Sequence, residues 1–284
     1  MELLSNYKTT ILRRNVFEIK YFETYYFANI INNILENPYA YLRSLNDFFG
    51  EENYRNFLTP FPKKSALHNF IEFIIDSINY EDLDDYEIDV FIKGNQKLWV
   101  EIALTHYNFE FDTFEKFLEE KEKPRNEIDD DDIVEYLQNL RLYGPYEDLL
   151  DKMSEEIFFI LFLNRQTLQR FNILISHQIE DREINELDEE DIPFFRKNGV
   201  LNRVSIPKWV MKAVMHRDRG MCVSCHKDLT GIISISEVEN YDHIIPLANG
   251  GINDITNIQL LCENCNKSKS SKNISTSNLY ERWY

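Results

Sequence analysis

The residues with the clearest chemical meaning are four cysteines in two pairs of identical spacing. Each pair is a Cys-x2-Cys knuckle, and the sequence contains 4 cysteines in all: Cys222, Cys225, Cys262 and Cys265. Two such knuckles can place four thiolates tetrahedrally around one zinc ion, which closes the site and makes it structural. Two disulfides or a redox-active pair are the alternatives. The matched spacing, without a βαβ pattern, favours the metal.

Between the knuckles, the sequence predicts a strand, a turn and a second strand. The first strand covers residues 237–245 and contains the polar pair Asp242-His243. The turn is Asn249-Gly250-Gly251, because glycine accepts the positive φ that a tight reversal needs. The second strand covers the apolar stretch 255–261. A helix should then begin inside the second knuckle.

The order strand, loop, strand and helix, framed by two knuckles, resembles the HNH (ββα-metal) nuclease family in its zinc-braced form. The resemblance extends over residues 206–275, which is under a third of the chain. The third signature position is often His in this family, and here it is Asn. The matching residues are Asp242, His243, Asn257 and Asn266.

The resemblance implies a metal-dependent phosphodiester hydrolase. His243 would be the general base, since imidazole can take a proton near neutral pH. Asp242 and Asn266 would offer oxygen ligands to Mg²⁺ or Mn²⁺, and Asn257 would hold the loop around the base. Because adjacent strand residues point to opposite faces, Asp242 and His243 need an irregular strand end to act on one phosphate. Ordinary turn, cap and helix positions are the alternatives for these residues.

Basic residues around the motif are the predicted nucleic-acid contacts. Lys267 and Lys269 follow the start of the helix in the second knuckle. Arg217 and Arg219 belong to a helix predicted between Ser205 and Gly220, which also carries two lysines. An ordinary solvated face is the alternative, since a few cations supply only a modest electrostatic attraction.

The charge of the chain is distributed unevenly. The net charge of the 284 residues is −18, which by itself opposes nucleic-acid binding. Residues 1–200 carry 21 Lys and Arg against 41 Asp and Glu, whereas residues 201–284 carry 10 against 8. An acidic body is therefore joined to a mildly basic C-terminal part, which is the part that carries the motif.

The first two hundred residues show helical periodicity and no further catalytic motif. Apolar spacing predicts helices over 22–35, 66–75 and 114–118, and one long helix over 157–179. Short strands are predicted over 86–90 and 98–104. Two acidic runs stand out: residues 127–132 indicate a solvated loop or helix start rather than a cation site, and residues 180–191 indicate a linker.

The predicted architecture is a mostly α N-terminal domain, residues 1–195, with regulatory or assembly functions, and a small α+β ββα-metal domain with structural zinc, residues 196–284. The longest apolar run has seven residues, whereas about 20 are needed to span a bilayer, so we expect a cytoplasmic protein without a membrane partner.

The predicted function is a DNA endonuclease of the bacterial restriction or antiphage-defence kind. Its activity would be controlled by the N-terminal domain or by a protein partner such as a sensor or ATPase, and a homo-oligomer is compatible with the sequence. A zinc-ribbon module that binds nucleic acid or protein without cutting is one alternative, and a nuclease acting on RNA is another.

Overall fold

The computed structural model describes residues 18–50, 53–81, 97–124, 127–231, 239–270 and 273–280. In these ranges the chain is mostly helical, with two small two-stranded antiparallel sheets. The helices are α1 (Thr24–Glu36), α2 (Leu42–Phe49), α3 (Ala66–Glu81), α4 (Trp99–His106), α5 (Phe114–Glu120), α6 (Asp130–Tyr143), α7 (Tyr146–Phe162), α8 (Arg165–Glu180), α9 (Lys208–Arg217) and α10 (Glu263–Lys269). The strands are β1 (Phe195–Lys197), β2 (Val200–Leu201), β3 (Glu239–His243) and β4 (Ile258–Cys262). None of the described helices is both long and apolar enough to cross a membrane.

Helix α7 lies at the centre of the N-terminal helices and packs against α1, α3 and α8. Its one deeply buried carboxylate, Glu156, is 1% exposed and accepts four hydrogen bonds. The donors are the backbone N–H groups of Lys20 and Tyr21 and the hydroxyls of Thr24 and Tyr107. A buried charge is tolerated only with such partners, and here they fix the start of α1 against α7.

The helices predicted over 22–35, 66–75 and 114–118 are confirmed as α1, α3 and α5. The acidic run 127–132 is a helix start, where the Asp129 side chain caps α6 by accepting from the Asp132 N–H at 3.2 Å. The strand predicted over 86–90 lies outside the described residues.

The strand predicted over 98–104 is wrong, because this segment forms α4. The Glu101 carboxylate accepts from the backbone N–H of Leu98 at 3.1 Å and of Phe114 at 2.9 Å. The first of these bonds closes the initial turn of the helix. A short apolar run without clear periodicity does not distinguish a buried strand from a buried helix.

The single helix predicted over 157–179 is also wrong, because the chain forms α7 and α8 with a break after Phe162. Asn164 begins the second helix, and its Oδ1 accepts from the backbone N–H of Gln166 and Thr167 at 3.1 and 3.2 Å. Such a side chain favours a cap over a helix interior.

The C-terminal part has the predicted order of strand, turn, strand and helix. Strands β3 and β4 form a regular antiparallel ladder from Glu239–Cys262 to His243–Ile258. Helix α10 packs on both strands, and α9 packs on β4. The helix predicted before the first knuckle is thus confirmed as α9, and the helix predicted in the second knuckle as α10.

The hydrophobic core is continuous across residue 195, the boundary predicted between two domains. The Asp254 carboxylate accepts from the backbone N–H of Ala66, the first residue of α3, at 3.0 Å. Asn172 of α8 donates to the Thr256 hydroxyl at 3.2 Å. The segment predicted as a linker, 180–191, also packs on the body, where Asp191 accepts from the Tyr54 hydroxyl at 2.6 Å. The division of the chain at residue 195 stays a prediction.

Gly250 allows the turn after β3 to approach helix α8 closely. Its φ is +73°, and a Cβ on this residue would lie 2.3 Å from the carbonyl oxygen of Ser176. Gly251 is equally restricted, since a Cβ there would lie 2.0 Å from the carbonyl oxygen of Ile245. The Gly-Gly pair thus serves both the reversal of the chain and its contact with α8.

We predict that Gly250→Ala destabilises the protein by about 1–3 kcal/mol more than Gly231→Ala. Gly231 is a matched control, because its φ is +74° and nothing lies within 4 Å of a Cβ built there. Both variants therefore carry the strain of a positive φ, and only Gly250→Ala adds the clash with α8. Denaturant unfolding measures the difference, and equal losses would contradict the packing of this turn on α8.

Candidate metal centre and active site

The four cysteines lie together with a geometry that fits one zinc ion. Their Sγ atoms are all within 4.8 Å of one another, and the Sγ atoms of Cys225 and Cys262 are 3.7 Å apart. Zinc–sulfur bonds of about 2.3 Å in a tetrahedron place the sulfurs about 3.8 Å apart. A disulfide would require about 2.05 Å, and the cysteines are free thiols. The cluster is therefore positioned to bind a metal ion, and all-thiolate ligation is typical of structural zinc.

The backbone shapes both knuckles. In the first, the N–H of Cys222 donates to the carbonyl of Lys227 and the N–H of His226 donates to the carbonyl of Cys222, both at 2.9 Å. In the second, the N–H of Cys265 points at the sulfur of Cys262 at 3.5 Å. The Val223 N–H donates to the carbonyl of Leu260 at 3.0 Å, which ties the first knuckle to β4. The metal centre therefore braces the sheet that carries the polar pair.

Asp242 and His243 are the last two residues of β3, and Lys269 of α10 contacts both. The Lys269 ammonium donates to Asp242 Oδ2 at 2.8 Å and to the carbonyl oxygen of His243 at 2.7 Å. Its side chain is only 4% exposed. Asn266 lies three residues earlier on α10 and is half-buried, so it is on the same helix face as Lys269. The helix thus brings an ammonium to the end of the strand and carries Asn266 on the same face.

Asn257 braces the loop that follows His243. The residue is fully buried, its Oδ1 accepts from the Ile245 N–H at 2.8 Å, and its Nδ2 donates to the carbonyls of Ile245 and Ile252 at 3.0 and 2.9 Å. Its own carbonyl accepts from the Ile244 N–H at 2.6 Å. These bonds tie the loop between Ile244 and Ile252 to Asn257. The ladder is regular through His243, so the irregular strand end expected at Asp242 and His243 is not present, and the chain leaves the strand only after His243.

His243 is buried, with an exposed fraction of 2%, and its Nε2 lies 3.2 Å from Asn253 Oδ1. Burial lowers the pKa of His243 to about 4, and the positive charge of Arg203 acts in the same direction. The imidazole is therefore neutral at pH 7 and can accept a proton. Its Nδ1 has no hydrogen-bond partner among the described residues.

Two of the basic residues predicted to contact nucleic acid are instead buried and form ion pairs within the protein. Arg217 is 2% exposed and pairs with Asp218 through Nε at 2.8 Å and Nη2 at 2.9 Å. Lys269 is committed to Asp242, as described above. Because neither cation faces solvent, we correct their assignment from nucleic-acid contacts to structural residues.

The other two predicted contacts lie nearer the surface. Lys267 is exposed and pairs with Glu263 one turn earlier on α10. Arg219 is half-buried, with its guanidinium 4.7 Å from the centre of the Tyr280 ring.

Sequence reasoning missed Arg203 and Asn253. Arg203 is exposed, and its charge acts on His243 more strongly than the charges of Asp242 and Lys269. It follows Asn202, whose carbonyl oxygen accepts from Asn253 Nδ2 at 2.9 Å. Neither residue stands in a recognisable motif, and only the folded chain places them beside the imidazole.

Residues 222–272 match the family model of the HNH endonucleases. Together with the four cysteines positioned to bind a metal ion, this match is consistent with a zinc-braced HNH domain in the C-terminal region. No curated protein and no solved structure gave a significant match to the chain. Members of the HNH family are generally nucleases, and the match covers both knuckles, the Asp242-His243 pair, Asn257 and Asn266.

We predict one zinc ion per chain in the wild-type protein and a large loss of zinc and of thermal stability in Cys262→Ala. The variant removes one of four ligands next to β4, and structural zinc contributes directly to the folding free energy. Metal analysis and thermal unfolding measure both effects. Asn264→Ala, an exposed position inside the second knuckle, is the control and should retain zinc. Full zinc occupancy in Cys262→Ala would contradict the assignment.

Proposed function

We propose that this protein is a metal-dependent endonuclease that hydrolyses phosphodiester bonds in DNA at its HNH domain. The observation that carries the proposal is the end of β3, where a carboxylate and a neutral imidazole stand at consecutive positions of the strand, in a frame built by the cysteine cluster. Lys269 fixes both residues from α10. A module that only binds nucleic acid does not require this combination.

In the proposed reaction, His243 takes a proton from the attacking water. A neutral imidazole is suited to this step, because general-base catalysis needs an unprotonated acceptor at the working pH. Nδ1 is the available nitrogen, since Nε2 faces Asn253. Asn257 keeps the loop after His243 in place through its bonds to Ile245.

The donor set at the end of the strand fits a hard divalent cation. Asp242 Oδ2 is paired with Lys269, whereas Oδ1 has no hydrogen-bond partner in the described part of the chain. The Asn266 amide is likewise without a described partner. Carboxylate and amide oxygens are ligands that Mg²⁺ and Mn²⁺ accept. Such an ion would neutralise charge on the phosphate and stabilise the leaving oxygen.

Exposed cations in the C-terminal part support a polyanionic substrate. The charge of the exposed Arg203 acts on the imidazole, and Lys208 and Lys212 are exposed one turn apart on α9. Within the described ranges, none of the three forms an ion pair. They therefore replace Arg217 and Lys269 as the proposed phosphate contacts.

We also propose that the acidic body restricts general DNA binding, as in a controlled effector of the restriction or antiphage-defence kind. The 41 acidic residues before position 201 support this view. The same acidic part also supplies the partners of Asp254 and Thr256, so it supports the HNH domain as well as carrying the charge.

We predict that zinc-loaded wild-type protein nicks plasmid DNA with Mg²⁺ or Mn²⁺ and that His243→Ala lowers the rate by about 100-fold or more. The reason is the loss of the general base. His216→Ala is the matched control, since His216 is an exposed histidine on α9, and it should cut at the wild-type rate.

Two outcomes would contradict the nuclease proposal. Equal rates in the two histidine variants would exclude His243 as the base. No cutting of DNA or RNA by folded, zinc-loaded wild-type protein would favour a non-cleaving zinc module. Cutting of RNA alone would retain the site and change the substrate.

For Arg203→Ala we predict DNA binding weakened by about 5- to 10-fold and a salt dependence with a slope reduced by about one. Arg196→Ala is the matched control, because Arg196 is exposed on the adjacent hairpin and does not act on the imidazole. Binding is measured in the His243→Ala background to prevent cleavage. Equal effects of the two arginines would contradict a specific contact by Arg203.

A further inference from the structure

A chain of hydrogen bonds leads from the imidazole of His243 to the main chain of Asn202. The first bond joins His243 Nε2 and Asn253 Oδ1 at 3.2 Å, and the second joins Asn253 Nδ2 and the carbonyl oxygen of Asn202 at 2.9 Å. Asn253 is 5% exposed, so water does not compete freely for these bonds. These two hydrogen bonds lie on the side of the ring opposite Nδ1, the nitrogen proposed to act as the base.

The chemistry of the second bond determines the direction of the first. A carbonyl oxygen can only accept, so the NH₂ group of Asn253 must face Asn202. Its Oδ1 then faces the imidazole and can only accept in turn. The proton of the neutral ring must therefore reside on Nε2, which leaves the lone pair on Nδ1.

Asn253 and Asn202 are both held in place by other parts of the fold. The Asn253 carbonyl accepts from the backbone N–H of Phe61 at 2.7 Å. Asn202 is held on the β1–β2 hairpin, where its N–H donates to the carbonyl of Phe194 and its Nδ2 to the carbonyl of Pro193, both at 2.8 Å. The N-terminal body and the hairpin thus set the position of the Asn253 amide.

We propose that Asn253 is a positioning residue that fixes the ring orientation and the Nε2-protonated tautomer of His243. The inference rests on the nuclease function proposed above, in which Nδ1 accepts the proton. Asn253 does not touch the reacting atoms and acts only through the imidazole. It lies four residues before Asn257, which holds the loop and makes no described contact with the ring.

Two substitutions in the full-length protein separate this role from a structural one. Asn253→Ala removes the acceptor for the ring and the donor to Asn202. Asn253→Asp keeps an oxygen acceptor for the ring and removes the donor to Asn202, and its negative charge also favours a proton on Nε2. Zinc content and thermal unfolding establish that each variant is folded.

The first readout is the tautomer of His243, from ¹⁵N spectra of histidine-labelled protein with the signal assigned by comparison with His243→Ala. We expect the Nε2-protonated form in the wild type and in Asn253→Asp, and a mixture of tautomers in Asn253→Ala. A wild-type ring protonated on Nδ1 would overturn the proposal. This readout is independent of cleavage, so it decides on Asn253 even if the proposed nuclease function fails.

The second readout is the single-turnover rate of DNA cleavage at saturating protein, together with DNA affinity. We expect Asn253→Ala to lower the rate by about 10- to 100-fold at unchanged affinity, and Asn253→Asp to retain most of the rate. Equal rate losses in the two variants, in proportion to their loss of stability, would assign Asn253 a structural role only. A wild-type rate in folded Asn253→Ala would exclude it as a positioning residue.

Discussion

The packing of the C-terminal half depends on the hydrogen bonds that the buried carboxylate of Asp218 accepts. It accepts from Arg165 Nη1 at 3.0 Å, from Arg217 Nε and Nη2 at 2.8 and 2.9 Å, and from the Leu260 N–H at 2.9 Å. These donors belong to α8, α9 and β4, so one side chain holds three elements together. Removing one partner of a buried pair leaves an uncompensated charge and typically costs about 3–5 kcal/mol. Since β4 positions β3, the geometry of Asp242 and His243 depends on this carboxylate.

Pairing with neighbouring carboxylates also explains why some basic residues of the HNH domain are buried and others are exposed. Arg217 and Lys269 each neutralise a neighbouring carboxylate inside the protein, and a buried cation is retained where such a partner exists. Arg203, by contrast, is exposed, and its charge acts on the imidazole of His243. The helical body also contributes to the site directly, through the Phe61 N–H that holds Asn253. The two halves therefore share one core and build one site.

Features set by spacing along the chain could be predicted from the sequence. Two matched knuckles place the cysteines, and the Gly-Gly turn indicates the reversal between β3 and β4, since these patterns depend on neighbouring residues. Features set by distant partners could not be predicted. Glu101 starts a helix where a strand was expected, because it reaches Phe114. The role of Asn253 depends on residues about fifty and nearly two hundred positions earlier, and no local pattern records such contacts.

The hydrogen bond between Ala66 and Asp254, which holds the loop before β4 against α3, has a consequence for biosynthesis. The bond between Ala66 and Asp254 spans 188 positions, and Arg165 also binds the carbonyl of Leu279, 114 positions later. Long sequence separations make folding slow, because ordering a large loop of chain precedes the contacts that stabilise it. The amino-terminal helices leave the ribosome first and can pack before the knuckles exist. In the proposed nuclease, a nascent chain that ends before Cys265 thus has no assembled centre, and cutting activity arises only after the second knuckle has been synthesised.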